Sequence, residues 1–273
     1  MDAIRKLVTL CLFSILLLVN NLWAAEKIYP FSVVPQQSAT KTLKVWGPIV
    51  RYLSLKSGHK LKLKIAKDIP TFEQWLMEGR SDFACMSPYH YTTSHSRQGY
   101  QALARAMEKH LKGIIVVKKQ GPVQKVEQLQ NTRLAFPAPT AFGASLLPRR
   151  WLLQQGIIFT PMYVRSHDSV YMNVALGRFP AGGGVMRTLR NMPPEIRDQL
   201  RILHTTEGYT PHAFAAHPRV PKEVVTDVRR VLLMMDQNQE GRSLLQGLKV
   251  KGWEKAVDAN WDDIRALKLE AIQ

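Results

Sequence analysis

The chain has 273 residues, 45% of them hydrophobic, and a formal net charge of +17 at pH 7. That length fits two ordinary domains or one large one, and the apolar content excludes a chain too polar to bury a core. Lys and Arg are scattered, with no long basic block and no nucleic-acid-binding motif, so the excess reads first as a solubilising basic surface, with steering of small anions or contact with an anionic membrane surface as the alternatives.

Residues 1–25 read as a cleavable signal peptide. Arg5 and Lys6 form a short basic region, Leu7 to Val19 is nearly uninterrupted apolar sequence, and Ala24-Ala25 offers small residues for cleavage. The apolar run is shorter than the ~20 residues a membrane span requires. Cys11 lies inside it, so Cys85 is the only cysteine of the mature chain and no intramolecular disulfide can form. Export without disulfides points to a periplasm and to a protein held by its core alone.

After the signal, short apolar runs alternate with amphipathic stretches. Ile28 to Val34 predicts a strand, Pro35-Gln36-Gln37-Ser38 a polar turn, and Thr40 to Ser57 a helix with Leu43, Trp46, Val50 and Leu53 on one face. Leu61, Leu63 and Ile65 alternate with lysines as a strand with one wet face. Thr71 to Gly79 is a helix stopped by glycine, Asp82 to Met86 a buried strand, Tyr91 to Gly99 a helix and Ile114 to Val117 a strand. The pattern restarts after Gly121-Pro122. Strands at 134–136, 162–164, 181–185, 202–204 and 212–216 alternate with helices at 144–155 and 169–176, and a helix through Val224, Val228, Leu232 and Met235 follows. Such alternation predicts an α/β fold with mainly parallel pairing, in two units. Ligands of such sheets bind outside the carboxyl ends of strands.

Three strand ends carry candidate chemistry. In Pro137-Ala138-Pro139-Thr140-Ala141-Phe142-Gly143-Ala144-Ser145, small side chains surround the start of a helix, whose first amides lack intrahelical partners and attract an anion. Thr140 and Ser145 add hydroxyls. The same residues also suit an ordinary helix packed closely on a sheet. Ser87-Pro88-Tyr89-His90-Tyr91 forms a second donor-rich corner, equally readable as a turn with semi-buried aromatics. Ser166-His167-Asp168 forms a third, where a lone histidine is as readily structural. Their convergence on one cleft is a stronger signal than any one of them. Two rival readings are weaker. There is no Gly-x-Ser-x-Gly elbow, and Cys85 sits in an apolar strand where a thiol is inert, which argues against an enzyme. The pairs His90/His95 and His212/His217 raise a metal reading, but 212–217 reads as extended and His217 precedes a proline.

Three stretches, "KVWGPIVRYLSLKSGHKLKLKIAKDIPTFEQWLMEGRSDFACMSPYHY", "LAFPAPTAFGASLLP" and "RSHDSVYMNVALGRFPAGGG", make the chain similar to the PhnD-like periplasmic phosphate/phosphonate-binding proteins of ABC transporters. The resemblance spans nearly the whole mature region and rests on the order and spacing of the stretches. It implies a type II periplasmic-binding fold: two α/β lobes, 26–118 with 207–273 and 119–206, joined by a two-segment hinge that closes on the ligand. It implies that the turn at 139–145 holds the phosphonyl oxygens. The family turn is often of Ser-Thr-Ser-Gly type; here Ala141, Phe142, Gly143 and Ala144 keep the backbone donors and lose three hydroxyls, which Thr140 and Ser145 could replace. The family's anion-donating histidine matches His167, with Asp168 where an acid is common. A binding tyrosine falls near Met86, with Tyr89 close by, beside Ser87 and His90. The aspartate that some members use for a ligand amino group falls at Pro180, which argues against an aminoalkylphosphonate and leaves phosphate, phosphite, a simple phosphonate or another small oxyanion. The expectation is a monomeric, non-enzymatic solute-binding protein of the periplasm, with no cofactor and no nucleic-acid partner. It would serve an ABC permease or, as the alternative, a sensor kinase's periplasmic domain.

Overall fold

The structure, a computed structural model, describes residues 27–269; the signal-peptide reading falls outside them. In chain order the first part holds β1 (Ile28–Val33), α1 (Ala39–Ser57), β2 (Lys60–Lys64), α2 (Ile69–Met77), β3 (Phe83–Met86), α3 (Pro88–Gln98) and β4 (Gln101–Ala106). The middle holds β5 (Ile114–Lys118), β6 (Thr132–Phe136), α4 (Leu147–Gln154), β7 (Phe159–Tyr163), α5 (His167–Ala175), β8 (Ala181–Gly184), α6 (Met186–Arg190) and β9 (Leu200–Thr205). The chain then returns through β10 (Ala213–Ala216), α7 (Lys222–Leu233), α8 (Gln239–Leu248) and β11 (Trp253–Lys255).

Two sheets result, β11-β4-β10-β3-β1-β2 and β7-β6-β8-β5-β9. β5 pairs antiparallel with β8 and β9, so Ile114–Lys118 belongs to the second sheet and not to the first lobe. The Gly121-Pro122 break that marked a boundary in the sequence is a turn inside the second lobe; Gly121 N–H donates to the Lys118 carbonyl. The chain crosses between sheets before β5 and again after β9. There Leu111 and Tyr209 pair as an antiparallel bridge and Gly113 N–H donates to Thr206 Oγ1 at 2.9 Å. That ladder is the two-segment hinge. The pairing is also mixed rather than mainly parallel. β1 with β2 and β3, and β6 with β7 and β8, run parallel. β5 and β10, the strands that enter each sheet straight from a crossing, run against their neighbours.

Local chemistry explains the helices. Ser38 Oγ accepts from Lys41 N–H at the start of α1, and Gly58, with φ of 74°, ends it. Pro48 removes one helical hydrogen bond from its middle. The buried stripe of α1 is Trp46, Ile49, Val50 and Leu53; Leu43, expected on it, is 56% exposed. β5 shows strand alternation directly: Ile114 and Val116 enter the core under α5, and Ile115 and Val117 enter the one that includes Leu134, Phe136 and Leu152. In the first lobe, Phe83 and Cys85 of β3 face Phe31, Trp46 and Phe214, while Ala84 and Met86 face a cluster that also takes in Phe142, Leu146 and Val185 from the second lobe. One apolar cluster therefore runs across the gap between lobes beside the hinge.

Candidate functional site

The loops after β1, β3, β6, β7 and β8 converge where the two sheets' strand ends meet, the position that open α/β sheets offer to ligands. A narrow pocket there is lined by Gln36, Ser87, His90, Ala141, Phe142, Gly143, His167 and His212, with Ala144 and Leu111 behind them.

The second-lobe wall is the start of a helix. Phe142–Leu146 is one wide turn running into α4: the amides of Ser145 and Leu146 both reach the Ala141 carbonyl, at 2.7 and 3.2 Å. The amides of Phe142, Gly143 and Ala144 precede that closure and have no intrahelical acceptor. Glycine explains why this turn sits so deep. A Cβ on Gly143 would lie 2.7 Å from Val185 Cγ1, and one on Gly183 of β8 would strike the Ala144 carbonyl oxygen and the Phe136 ring. The small residues of both stretches let backbone pack on backbone.

The first-lobe wall comes from α3. Ser87 caps it, its Oγ accepting from His90 N–H at 3.3 Å. His90 is buried, and neither ring nitrogen has a hydrogen-bond partner. Burial pushes its pKa down to about 4. His167, on the first turn of α5, is buried, with Nδ1 3.1 Å from Thr188 Oγ1. Burial first, then Arg187, lowers its pKa to about 3. His212, at the returning hinge segment, is likewise lowered to about 3 by burial and then by Arg187, and its Nε2 lies 3.4 Å from Gln36 Nε2. All three imidazoles are neutral at neutral pH. They offer hydrogen bonds without charge.

Three expected residues are placed elsewhere. Thr140 Oγ1 donates to Glu73 Oε2 of α2 at 3.1 Å, tying the lobes together away from the pocket. Ser145 lies one turn in, fully buried, with Oγ unpartnered. Tyr89 packs in the apolar cluster and does not line the pocket. Gln36 and Arg187 were not singled out in the sequence, and His212 was considered only as half of a His212/His217 metal pair. Gln36 and Arg187 follow strand ends, so the rule that found Ser87 and His167 applies to them; His212 begins a strand, and no local pattern marks it. The pocket is held shut by contacts that cross the lobes. Lys41 Nζ pairs with Asp168 Oδ2 at 2.8 Å, Arg187 donates to Gln36 Oε1, and His167 N–H reaches the Gln36 carbonyl at 3.4 Å.

A wider chamber adjoins this pocket and shares Val34, Gln36, Leu111 and His212 with it. Its volume is about 270 Å³. Cys85 forms part of its wall; burial raises the thiol's pKa to about 12, so no thiolate nucleophile is present.

Known proteins share this architecture. PhnD1 from Prochlorococcus marinus, in complex with methylphosphonate, superposes with a TM-score of 0.83 at 17% identity, covering 90% of this chain and 98% of its own. A binding protein component of an ABC phosphonate transporter from Pseudomonas aeruginosa gives 0.82 at 14% identity over 89% and 86%. The B. pertussis BvgS periplasmic domain gives 0.55 at 15% identity over 90% of this chain and 47% of that one. These likenesses show a periplasmic-binding fold of two lobes. The sequence itself matches the model for the phosphonate periplasmic substrate-binding proteins of ABC transporters over residues 31–261, most of its length, and the chain belongs to that family.

Proposed function

We propose that this protein captures the phosphoryl or phosphonyl head of a small anion in the histidine pocket and delivers it from the periplasm to an ABC importer. The observation that carries the reading is convergence. The residues of three helix-start amides, Ser87 and three neutral histidines from four separate segments line one space between the lobes, and both ring nitrogens of His90 are buried there without partners. A buried polar group without a partner costs roughly 1–3 kcal/mol, which a bound oxyanion would offset. With Tyr171 Oη donating to Thr188 Oγ1 at 2.7 Å, the Thr188 hydroxyl can donate to His167 Nδ1 and leave Nε2–H for the anion. The helix start supplies the remaining donors. Ser87, His90, Phe142, Gly143 and His167 of the expected set hold the ligand in this reading, joined by Gln36 and His212; Thr140 and Ser145 do not touch it.

The pocket as it stands holds a cavity of about 10 Å³, the room of one water. The lobes therefore part at the hinge to admit the anion and close on it less tightly than here. Family membership favours a permease and its ATPase over a sensor kinase as the receiving partner. Calorimetry with methylphosphonate, phosphite, phosphate and sulfate tests the reading. Binding of a phosphorus oxyanion that is lost in His90→Ala supports it. Absence of binding by every phosphorus compound tried sinks it.

A further inference from the structure

The wider chamber differs from the histidine pocket in a way that the capture of a bare oxyanion leaves unexplained. Its lining combines an apolar and aromatic set, Val45, Trp46, Leu248, Val250 and Trp253, with Lys41, Lys109, Lys112 and Arg187, and includes no Asp or Glu. Lys41 is matched by Asp168. The other three have no carboxylate within ion-pair distance among the described residues. Lys109 Nζ donates to the Lys249 carbonyl, and Arg187 to the Gln36 side chain. Burial, then the neighbouring Arg187 and Lys249, lowers the Lys109 pKa; burial likewise lowers that of Arg187. Closely spaced cations in a half-enclosed space are unfavourable without an anion among them. The indole N–H of Trp253, in the same wall, is buried and without a partner.

The room is also specific. A closed apolar cavity of ~150 Å³ accepts a benzene ring; this chamber, at about 270 Å³, has space for a ring and one substituent. It borders the histidine pocket at Gln36, His212, Leu111 and Val34, which line both. A ligand whose phosphorus head lies among the histidines would thus place whatever its phosphorus carries into a space lined by both apolar side chains and cations.

We propose that the ligand is an organophosphorus anion with a ring-sized apolar body and a second acidic group, the body lying against Trp46 and Trp253 and the second charge beside Arg187, Lys109 and Lys112. This rests on the reading of the histidine pocket given above.

The test is isothermal calorimetry on the mature protein with four probes: methylphosphonate, phenylphosphonate, 4-carboxyphenylphosphonate and terephthalate, which lacks phosphorus. The expected order is a gain of about tenfold from methyl to phenyl and about tenfold again on adding the carboxylate, each tenfold being ~1.4 kcal/mol. Val45→Phe, which narrows the chamber, should abolish the first gain and leave methylphosphonate affinity unchanged. Lys109→Met should abolish only the second; Lys112→Met serves the same purpose should the first variant not fold. If methylphosphonate binds and neither the ring nor the carboxylate adds affinity, the chamber proposal is overturned while the oxyanion reading stands. If terephthalate binds and no phosphorus compound does, the oxyanion reading falls, and with it the organophosphorus class, while the chamber keeps its preference for an acidic ring compound. If no probe binds, both are overturned.

Discussion

The histidine pocket and the chamber beside it share a wall and differ in almost every physical respect. The first is narrow, walled largely by backbone and neutral imidazoles; the second is wide, walled by side chains, and holds the fixed charges. Recognition is thereby divided. Hydrogen-bond geometry is set in one place, and charge and apolar area are offered in the other. Four of the chain's 38 Lys and Arg residues, Lys41, Lys109, Lys112 and Arg187, line that chamber.

Acid should separate the two regions most strongly. His90 and His167 are buried with folded pKa values near 4 and 3, below the ordinary value of 6.5. The unfolded chain therefore binds more protons than the native one between those values. Stability is full above pH 6.5 and is lost as pH falls toward the folded pKa, by about 2 kcal/mol per histidine at pH 5. Thermal unfolding from pH 7 to 5 should show the loss, and saturating methylphosphonate should reduce it, since an anion favours the imidazolium. A flat profile would mean that the imidazoles are not held neutral.

Next in size is a contrast between glycines. A Cβ on Gly183 meets backbone, the Ala144 carbonyl, and a ring held in the core. A Cβ on Gly252, beside the chamber's Trp253, meets Met107 Sδ at 3.1 Å and the Asp236 side chain at 3.2 Å, and the thioether can swing aside. Gly183→Ala should cost roughly 3 kcal/mol of stability and abolish oxyanion binding. Gly252→Ala should cost less than about 1 kcal/mol. Chemical denaturation of the two variants decides this, and equal losses would erase the distinction between a backbone wall and a side-chain wall.

The third effect concerns affinity alone. His167→Ala should weaken methylphosphonate binding by roughly 1.5–3 kcal/mol, the cost of losing one hydrogen bond to a charged group. Lys109→Met should leave methylphosphonate untouched, because that head does not reach the chamber. Unchanged affinity in His167→Ala would remove His167 from the ligand.

What the sequence revealed follows the same division. Strand ends followed by capping residues were legible at Ser87, at Ser166 before His167, and at the small-residue turn through Gly143, because caps and small residues are local signals. The two-lobe fold was legible from apolar periodicity together with the family resemblance. β4 and β11 were missed, since Gln101–Ala106 has no β-branched or aromatic residue and Trp253–Lys255 spans three residues, too few for a period to show. The wrong side was chosen for β5 because a Gly-Pro turn marks any turn, and which sheet a strand joins depends on partners far along the chain. The chamber was illegible for a related reason. Lys41, Lys109 and Arg187 lie on three distant segments, and only the fold brings their charges together.

Thr140 provides the smallest and most discriminating case. Sequence placed its hydroxyl on the anion; the fold places it on Glu73, whose carboxyl burial pushes upward in pKa. The two roles predict different patterns, not merely different sizes. If the hydroxyl touched the oxyanion, Thr140→Val would weaken phosphorus ligands in proportion to their charge and leave the free protein's shape alone. As a tie between lobes, it biases only the closing equilibrium. Loss of one half-exposed hydrogen bond, about 1 kcal/mol, shifts that equilibrium about fivefold toward open. Every cleft ligand then loses affinity by the same factor, whichever region it occupies, because each requires the same closed state. Small-angle scattering of the ligand-free variant should show a larger radius of gyration than the parent. A loss confined to one ligand class, with scattering unchanged, would return Thr140 to the binding site and leave Lys41–Asp168 and Arg187–Gln36 to hold the lobes together.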